Sequence, residues 1–380
     1  MEIFGQLEQD IFIAHSCHQL GMIAQEHHQF DEADAWYKRA AEVFEGLGFN
    51  RFAANSYHQL GMIAQECHRL DEAEDWYKKA LETRKRMQLY SDAATDCHQL
   101  GMIAQKRHQL DEAEGWYKKA LEIRERLGLE RDAATDYHQI GRIAQERHQL
   151  DEAKDWYRRA LEIRERLGLE RDAATDYHNL GTIAQERRQL DKAEKLYKQA
   201  LEMKKNSGLE QDAISDYHQL GTIAYERRQF DKAERLYREA LEIAKRLKLK
   251  QYIGGGYHQL GMIAQKRHQL DEAEDWYKKA LETYRSLGHP PYLVNTLIQL
   301  GIFYRERKQL TRSIEWLGEA LRIALDYQMR ICSRILEELG KALRIMGEKE
   351  FTRTWQHSFN EDPPLEAIAK KMEVFKKDTQ

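Results

Sequence analysis

Between residues 132 and 168 the apolar positions form two stripes separated by one polar break. Tyr137, Ile140, Gly141 and Ala144, with Ile143 on the flank, recur at helical spacing and share one face. The pattern predicts a first helix from an Asp132 N-cap to about His148. "QLDEAK" then breaks the stripe. Asp151 is placed to cap a second helix, whose acidic first turn suits the helix dipole. Its inner stripe is Ala153, Trp156, Tyr157, Ala160, Leu161 and Ile163, and Gly168 ends it as a C′ residue. Gly48, Gly128, Gly208 and Gly288 recur at the same place.

A Leu-Gly pair, once Ile-Gly, sets the register. Its glycines are Gly21, Gly61, Gly101, Gly141, Gly181, Gly221, Gly261 and Gly301, a period of forty over eight repeats without an insertion. Residues Leu121–His138 and Leu161–His178 are identical, which points to duplication of whole repeats. A degenerate ninth copy, "ILEELGKALRIMG", carries Gly340 one residue early. Such a period means a solenoid, in which no repeat can bury its apolar face without its neighbours. Gly141, Ala153 and Ala160 stand where the two helices of a hairpin approach closely, and Tyr157 fills the remaining space. Larger residues there would push the axes beyond about 8–10 Å. A last helix, "PPLEAIAKKMEVFKK", puts Leu365, Ile368, Ala369, Met372 and Phe375 on one side, fit to cover the end of the stack with Trp355 and Phe359. The predicted organisation is eight repeats over 1–326, a ninth over 327–360 and a C-terminal capping helix over 361–380.

Leu-Gly, Ala twelve residues after the Gly, an aromatic four further on and Ala three after that resembles the tetratricopeptide repeat (TPR); in the fourth repeat these are Ile140, Gly141, Ala153, Tyr157 and Ala160. The resemblance covers residues 7–326 strongly and 327–360 weakly. It implies an all-α, right-handed α-α superhelical solenoid. Two departures are the missing proline at the end of the second helix and six extra residues in each repeat. The forty-residue form is similar to repeats in GoLoco-type spindle-orientation adaptors. It is also similar to arrays attached to bacterial signalling NTPases and caspase-like CHAT proteases, and the near-identity of neighbouring repeats favours a bacterial source.

The resemblance implies that first helices line a concave surface, and helical geometry turns Thr135, His138, Arg142 and Gln145 away from the Tyr137 stripe. The ladder His18, His58, His98, His138, His178, His218, His258 follows, ending at Ile298. Beside it run Arg142, Thr182 and Thr222, and then Gln145, Gln185 and Tyr225. Three readings of the ladder compete: a tolerated residue copied with its repeat, a recognition surface for a peptide or partner helix, and a metal site. Imidazole and carboxamide both donate and accept hydrogen bonds, which suits recognition. Each repeat offers one such His, whereas zinc needs three or four converging ligands, so no metal or cofactor is expected. No Ser or Cys stands in register as a nucleophile, so no enzyme is expected. Where family members clamp chaperone carboxylates through Lys and Asn, this chain has His, Met and Thr. Gly254, Gly255 and Gly256 replace the "ATD" of other repeats and read as drift, or as a hinge or a close contact with a partner.

Charged residues make up 33% and apolar ones 42%, with a net charge of −4, so no global basic excess favours nucleic acid or an anionic membrane. Arg187-Arg188 and Arg227-Arg228 close their first helices, and acidic residues follow at once; RNA binding by this edge is the weaker reading. Cys17, Cys67, Cys97 and Cys332 form no CxxC pair and read as free thiols, with Cys17 and Cys97 in the core position of Tyr. No basic leader or apolar run of roughly 18 residues appears, which predicts a cytoplasmic location without a membrane span. The functional expectation is an adaptor for another protein or peptide on the concave face, with homo-oligomerisation compatible. The alternative is a regulatory or sensor subunit for a bacterial signalling or defence effector.

Overall fold

The computed structural model describes residues 2–377. Residue 1 and residues 378–380 lie outside the described residues, as do the side chains of 1–6 and 373–380, Phe375 among them. The described residues form nineteen helices and no strand, an all-α TPR-like solenoid of stacked hairpins. Two compact bodies divide the chain, Met1–Leu196 and Tyr197–Gln380.

The first body holds α1 (Glu2–Glu26) and α2 (Phe30–Gly46), α3 (Asn50–Glu66) and α4 (Leu70–Arg86), α5 (Tyr90–Lys106) and α6 (Leu110–Arg126). It continues with α7 (Glu130–Glu146), α8 (Leu150–Arg166), α9 (Glu170–Glu186) and the start of α10 (Leu190–Asn206). The hairpins α1–α2, α3–α4, α5–α6 and α7–α8 each close on a glycine–tyrosine pair. A Cβ placed on Gly61 or Gly101 would lie 2.8 Å from the ring of Tyr77 or Tyr117, and one on Gly141 would lie 3.0 Å from Tyr157. These tyrosines are fully buried, as are Ala73, Ala113 and Ala153. The small residues are therefore the condition for close helix approach.

The predicted caps are displaced. The helices α7 and α8 start at Glu130 and Leu150, so their N-caps are Leu129 and Gln149, without a side-chain cap bond. Asp132 and Asp151 lie inside the first turn. The reason is economy of chain in the turn. His148, with φ 58°, is the left-handed C′ residue of α7. His148 N–H bonds to Gln145 O at 2.9 Å and Gln149 N–H to Ala144 O at 2.8 Å, a Schellman motif. The same Gln149 then accepts the first bond of α8, from Ala153 N–H at 2.9 Å. One residue ends one helix and opens the next, leaving no place for a capping Asp. Gly48, Gly128 and Gly168 adopt positive φ after the second helices, as expected.

The second body contains α11 (Glu210–Glu226), α12 (Phe230–Arg246), α13 (Lys250–Lys266), α14 (Leu270–Leu287), α15 (Pro290–Glu306) and α16 (Leu310–Asp326). The chain continues through α17 (Cys332–Met346), α18 (Glu348–Phe359) and α19 (Leu365–Lys377). Phe359 and Trp355 seat over Gly318, where a Cβ would meet Phe359 at 2.3 Å. Met372 and Ile368 of α19 seat over Gly340 of α17. The hinge read into Gly254–Gly256 meets a helix without a break, for α13 runs straight through. A Cβ on Gly254 would fall 2.6 Å from the Tyr284 ring, and one on Gly256 3.1 Å from Leu241; only Gly255 has room, with Tyr284 Oη 3.6 Å away.

Replacing a mid-helix Gly by Ala ordinarily gains about 1 kcal/mol. Gly101→Ala should instead destabilise, because its methyl meets Tyr117 and overpacking costs roughly 1–3 kcal/mol. Gly115→Ala, with no atom within 4 Å, should show the ordinary gain. Urea unfolding midpoints moving in opposite directions check the pair.

Candidate partner-docking site

The histidine ladder is not an open face. In the first body His58, His98 and His138 each reach the next repeat and meet a fully buried aspartate, while His18 Nδ1 lies 3.1 Å from Ser56 Oγ. His58 Nδ1 lies 2.7 Å from Asp96 Oδ1, His98 Nδ1 2.7 Å from Asp136 Oδ1, and His138 Nδ1 2.6 Å from Asp176 Oδ1. Each aspartate is also held by a buried cation from the helix between: Arg84 to Asp96 at 2.5 Å, Arg124 to Asp136 at 2.7 Å, Arg164 to Asp176 at 2.7 Å. Each arginine donates again to a backbone carbonyl of the next repeat, Asp92, Asp132 or Asp172, at 3.2 Å. Three successive helices are tied by one carboxylate. Each imidazole also packs edge-on to the core tyrosine of its own repeat, 5.2 Å from Tyr77 and Tyr117 and 5.3 Å from Tyr157.

Other expected recognition residues are engaged in similar ways. Gln145 accepts from Tyr157 Oη at 3.0 Å and donates to Glu186 at 3.3 Å. Thr182 and Thr222 hydroxyls donate to the carbonyls of His178 and His218. His178 and Gln185 are half-buried. Tyr225 packs against Phe230, 5.7 Å between centroids. Arg142 alone of this set is exposed. Cys17 and Cys97 are buried free thiols, and burial pushes Cys97 up to about 11.

The network has a rule that sequence reading missed. Counting from His, the cation stands at +26 and the aspartate at +38, and the two are present or absent together. Arg84/Asp96, Arg124/Asp136, Arg164/Asp176 and Lys204/Asp216 are complete pairs. Phe44/Ser56, Ala244/Gly256 and Tyr284/Thr296 lack both charges. The signal lay in comparing positions across repeats.

Where both charges are lost in the second body, the surface opens. A groove of about 220 Å³ is lined by His218, Tyr237, Tyr252, Gly255, Tyr284 and Tyr292. It adjoins a second of about 260 Å³ that shares His218, Gly255, Tyr284 and Tyr292 and adds His258, Asn295 and Arg334. Gly256 offers no carboxylate, so His218 Nδ1 has no acceptor among the described residues; its Nε2 accepts from Gln259 Nε2 at 3.2 Å. His258 Nδ1 has Thr296 Oγ1 at 3.3 Å. No Asp or Glu lines either depression. Burial first, and then the charges of His218 and Arg334, hold His258 down from 6.5 to about 4. Of the sequence-predicted residues, the structure brings His218, His258 and Gly255 together here.

A family model described as the MalT-like TPR region matches residues 137–317, and one described as tetratricopeptide repeat matches residues 10–86 and 91–166. The chain is a tetratricopeptide-repeat protein. No curated protein matches this TPR chain. Among solved structures it is similar to a signal transduction ATPase with numerous domains (STAND) with a TPR sensor, from Pyrococcus horikoshii. The TM-score is 0.62 at 15% identity over 92% of this chain and 53% of that one, so the TPR chain spans about half that protein's length. It is similar to the apo form of RapI, with TM-score 0.59 at 17% identity over 72% of this chain and 98% of that one. It is also similar to aspartyl phosphate phosphatase F from Bacillus subtilis, with TM-score 0.58 at 12% identity over 91% and 92%. At such identities the likeness is one of fold. Among the described residues no helix of the TPR chain is long and apolar enough to cross a membrane.

Asp136→Ala leaves Arg124 buried without its carboxylate and should cost about 3–5 kcal/mol. The double change Arg124→Ala with Asp136→Ala should recover much of that loss, because removing a buried pair together costs far less than breaking it. Hydrogen exchange read along α5 to α8 checks both. A second outcome concerns pH. The unfolded chain protonates His258 near 6.5 and the folded chain near 4, so the unfolded state binds more protons between these values and stability falls as pH falls through that window. The thermal midpoint of the wild type should drop further across it than that of His258→Gln.

Proposed function

We propose that this TPR protein is a non-enzymatic interaction scaffold, and that the groove on α11, α13 and α15 seats an extended segment of a partner protein. The observation that carries this reading is the coordinated loss of charge at Ala244 and Gly256, which leaves His218, four tyrosines and an open Gly255 at one surface. Tyrosine rings offer broad contact area at low entropic cost, which suits a peptide site. The groove also selects by charge. Its ionisable lining besides tyrosine is His218, His258 and Arg334, and Arg334 is exposed without an ion pair among the described residues. A partner Asp or Glu side chain would give His218 the acceptor that an aspartate supplies in other repeats. The match to TPR family models supports a protein-interaction or regulatory role. A regulatory subunit for an effector would use the same groove. The free cysteines support a reducing, cytoplasmic setting.

The RNA reading has less support. The first arginine of the edge is spent on the preceding repeat: Arg107 on Asp71 and Glu74, Arg147 on Asp111 and Glu114, Arg267 on Asp231 and Glu234.

Gly255→Leu should fill the groove from within an intact helix, since a Cβ there meets only Tyr284 Oη at ordinary contact distance. Affinity capture from the native host should lose a partner that wild type retains, while helicity holds or rises. Identical capture by the two proteins would remove this reading.

A further inference from the structure

The seams between repeats carry a second recurring charge device. Glu74, Glu114, Glu234 and Glu274 each sit between a cation four residues on and an arginine of the next repeat. The pairs are Lys78 with Arg107, Lys118 with Arg147, Arg238 with Arg267 and Lys278 with Arg307. Every one of these carboxylates faces two positive charges and separates them.

Between the fourth and fifth repeats the carboxylate position is Lys154. Its own-helix neighbour is Arg158 and its cross-repeat neighbour is Arg187. Lys192 stands where Glu72, Glu112, Glu152 and Glu272 stand in other repeats. Leu196 replaces the Trp held at 36, 76, 116, 156 and 276. The lost indole leaves a cavity of about 150 Å³, lined by these five residues with Leu180, Ile183, Ala184 and Gln189. That is room for about five waters at roughly 30 Å³ each.

The charge there is not balanced. Asp151 takes Arg187 at 2.7 Å and Lys154 at 3.5 Å, and Asp155 lies 3.8 Å from Lys154. Arg158 and Lys192 have no ion pair among the described residues. Burial, then Arg158, Lys154 and Arg187, lower the proton affinity of Lys192. Four cations therefore converge on one cavity from α8, the turn after α9 and the first turn of α10, with no carboxylate in its lining.

We infer that this cavity is a phosphate site, taking either free phosphate or the phosphoryl group of a modified side chain. The uncommitted Arg158 fork and Lys192 ammonium, with Lys154 and Arg187 beside them, match a tetrahedral dianion, since Arg pairs with phosphate oxygens in bidentate fashion and Lys acts as a point charge. The apolar floor of Leu180, Ile183 and Leu196 lowers competition from water. The site lies in the first body, apart from the peptide groove, and does not depend on it.

The test is thermal unfolding of the full chain at constant ionic strength, with inorganic phosphate replacing chloride. Wild type should show a saturating rise in midpoint. The rise should vanish in Lys154→Glu, which rebuilds the neutral seam of the other repeats. It should also vanish in Leu196→Trp, which fills the cavity without changing charge. Both variants copy side chains that neighbouring repeats already accommodate, so their folding is secured by precedent. A phosphoserine heptapeptide titrated in parallel identifies the source: tighter binding than phosphate assigns a modified side chain, weaker binding assigns the free anion. A midpoint that chloride matches, or a rise retained in both variants, overturns the inference.

Discussion

The first body depends on a carboxylate placed where no water reaches it. Asp96, Asp136 and Asp176 are fully buried, and each is tolerable only because an imidazole and a guanidinium from two other helices converge on it. Breaking such a buried pair costs far more than never having it. That asymmetry explains the repeat-to-repeat pattern. Lys204 still holds Asp216 at 2.5 Å, whereas Ala244 and Gly256 have lost cation and anion together. A lone aspartate at 256 or a lone arginine at 244 would be an uncompensated buried charge.

Apolar packing alone would let adjacent hairpins slide. The glycine–tyrosine pairs set how closely the two helices of a hairpin approach, because each ring lies where the missing side chain would be. The His–Asp–Arg contacts act on a different step, the docking of one hairpin on the next, since they join a first helix, its second helix and the following first helix. A hydrogen-bonded charge has one geometry where alkyl contacts have several. Near-identical repeats could otherwise pair in many registers, and the polar contact selects one.

Much of this was legible in the sequence, for reasons that differ by residue. Gly101 and Tyr117 could be read because the repeat shows them in one invariant frame and the close-approach argument needs only helix periodicity. The caps could not. Asp132 and Asp151 look like N-caps by residue type, but the turn is so short that Leu129 and Gln149 serve as C″ residue and N-cap at once. The histidines were misplaced for another reason. Helical geometry correctly turned His138 away from Tyr137, but a position opposite the hairpin core is not exposed when the next repeat covers it. Asp176 lies 38 residues away, and only comparison of the seven His frames would have paired them. The groove at Gly255 was half visible: the glycines stood out, while their packing against Tyr284 did not.

A solenoid tolerates local change because its stability is roughly a sum of repeat and nearest-neighbour terms. An altered interface weakens one joint and leaves the others intact. Duplication therefore supplies a uniform background on which function appears as departure. The two candidate sites arise from opposite departures. At Ala244 and Gly256 a balanced pair is removed whole, so the joint stays neutral and becomes a hollow edged by imidazoles and tyrosines. At Lys154 and Lys192 the sign is reversed and at Leu196 a tryptophan is replaced, so the joint gains uncompensated charge beside a cavity. The first change costs little and leaves an open hollow without charge of its own. The second concentrates like charges at the edge of an apolar cavity, an arrangement that an oxyanion would relieve.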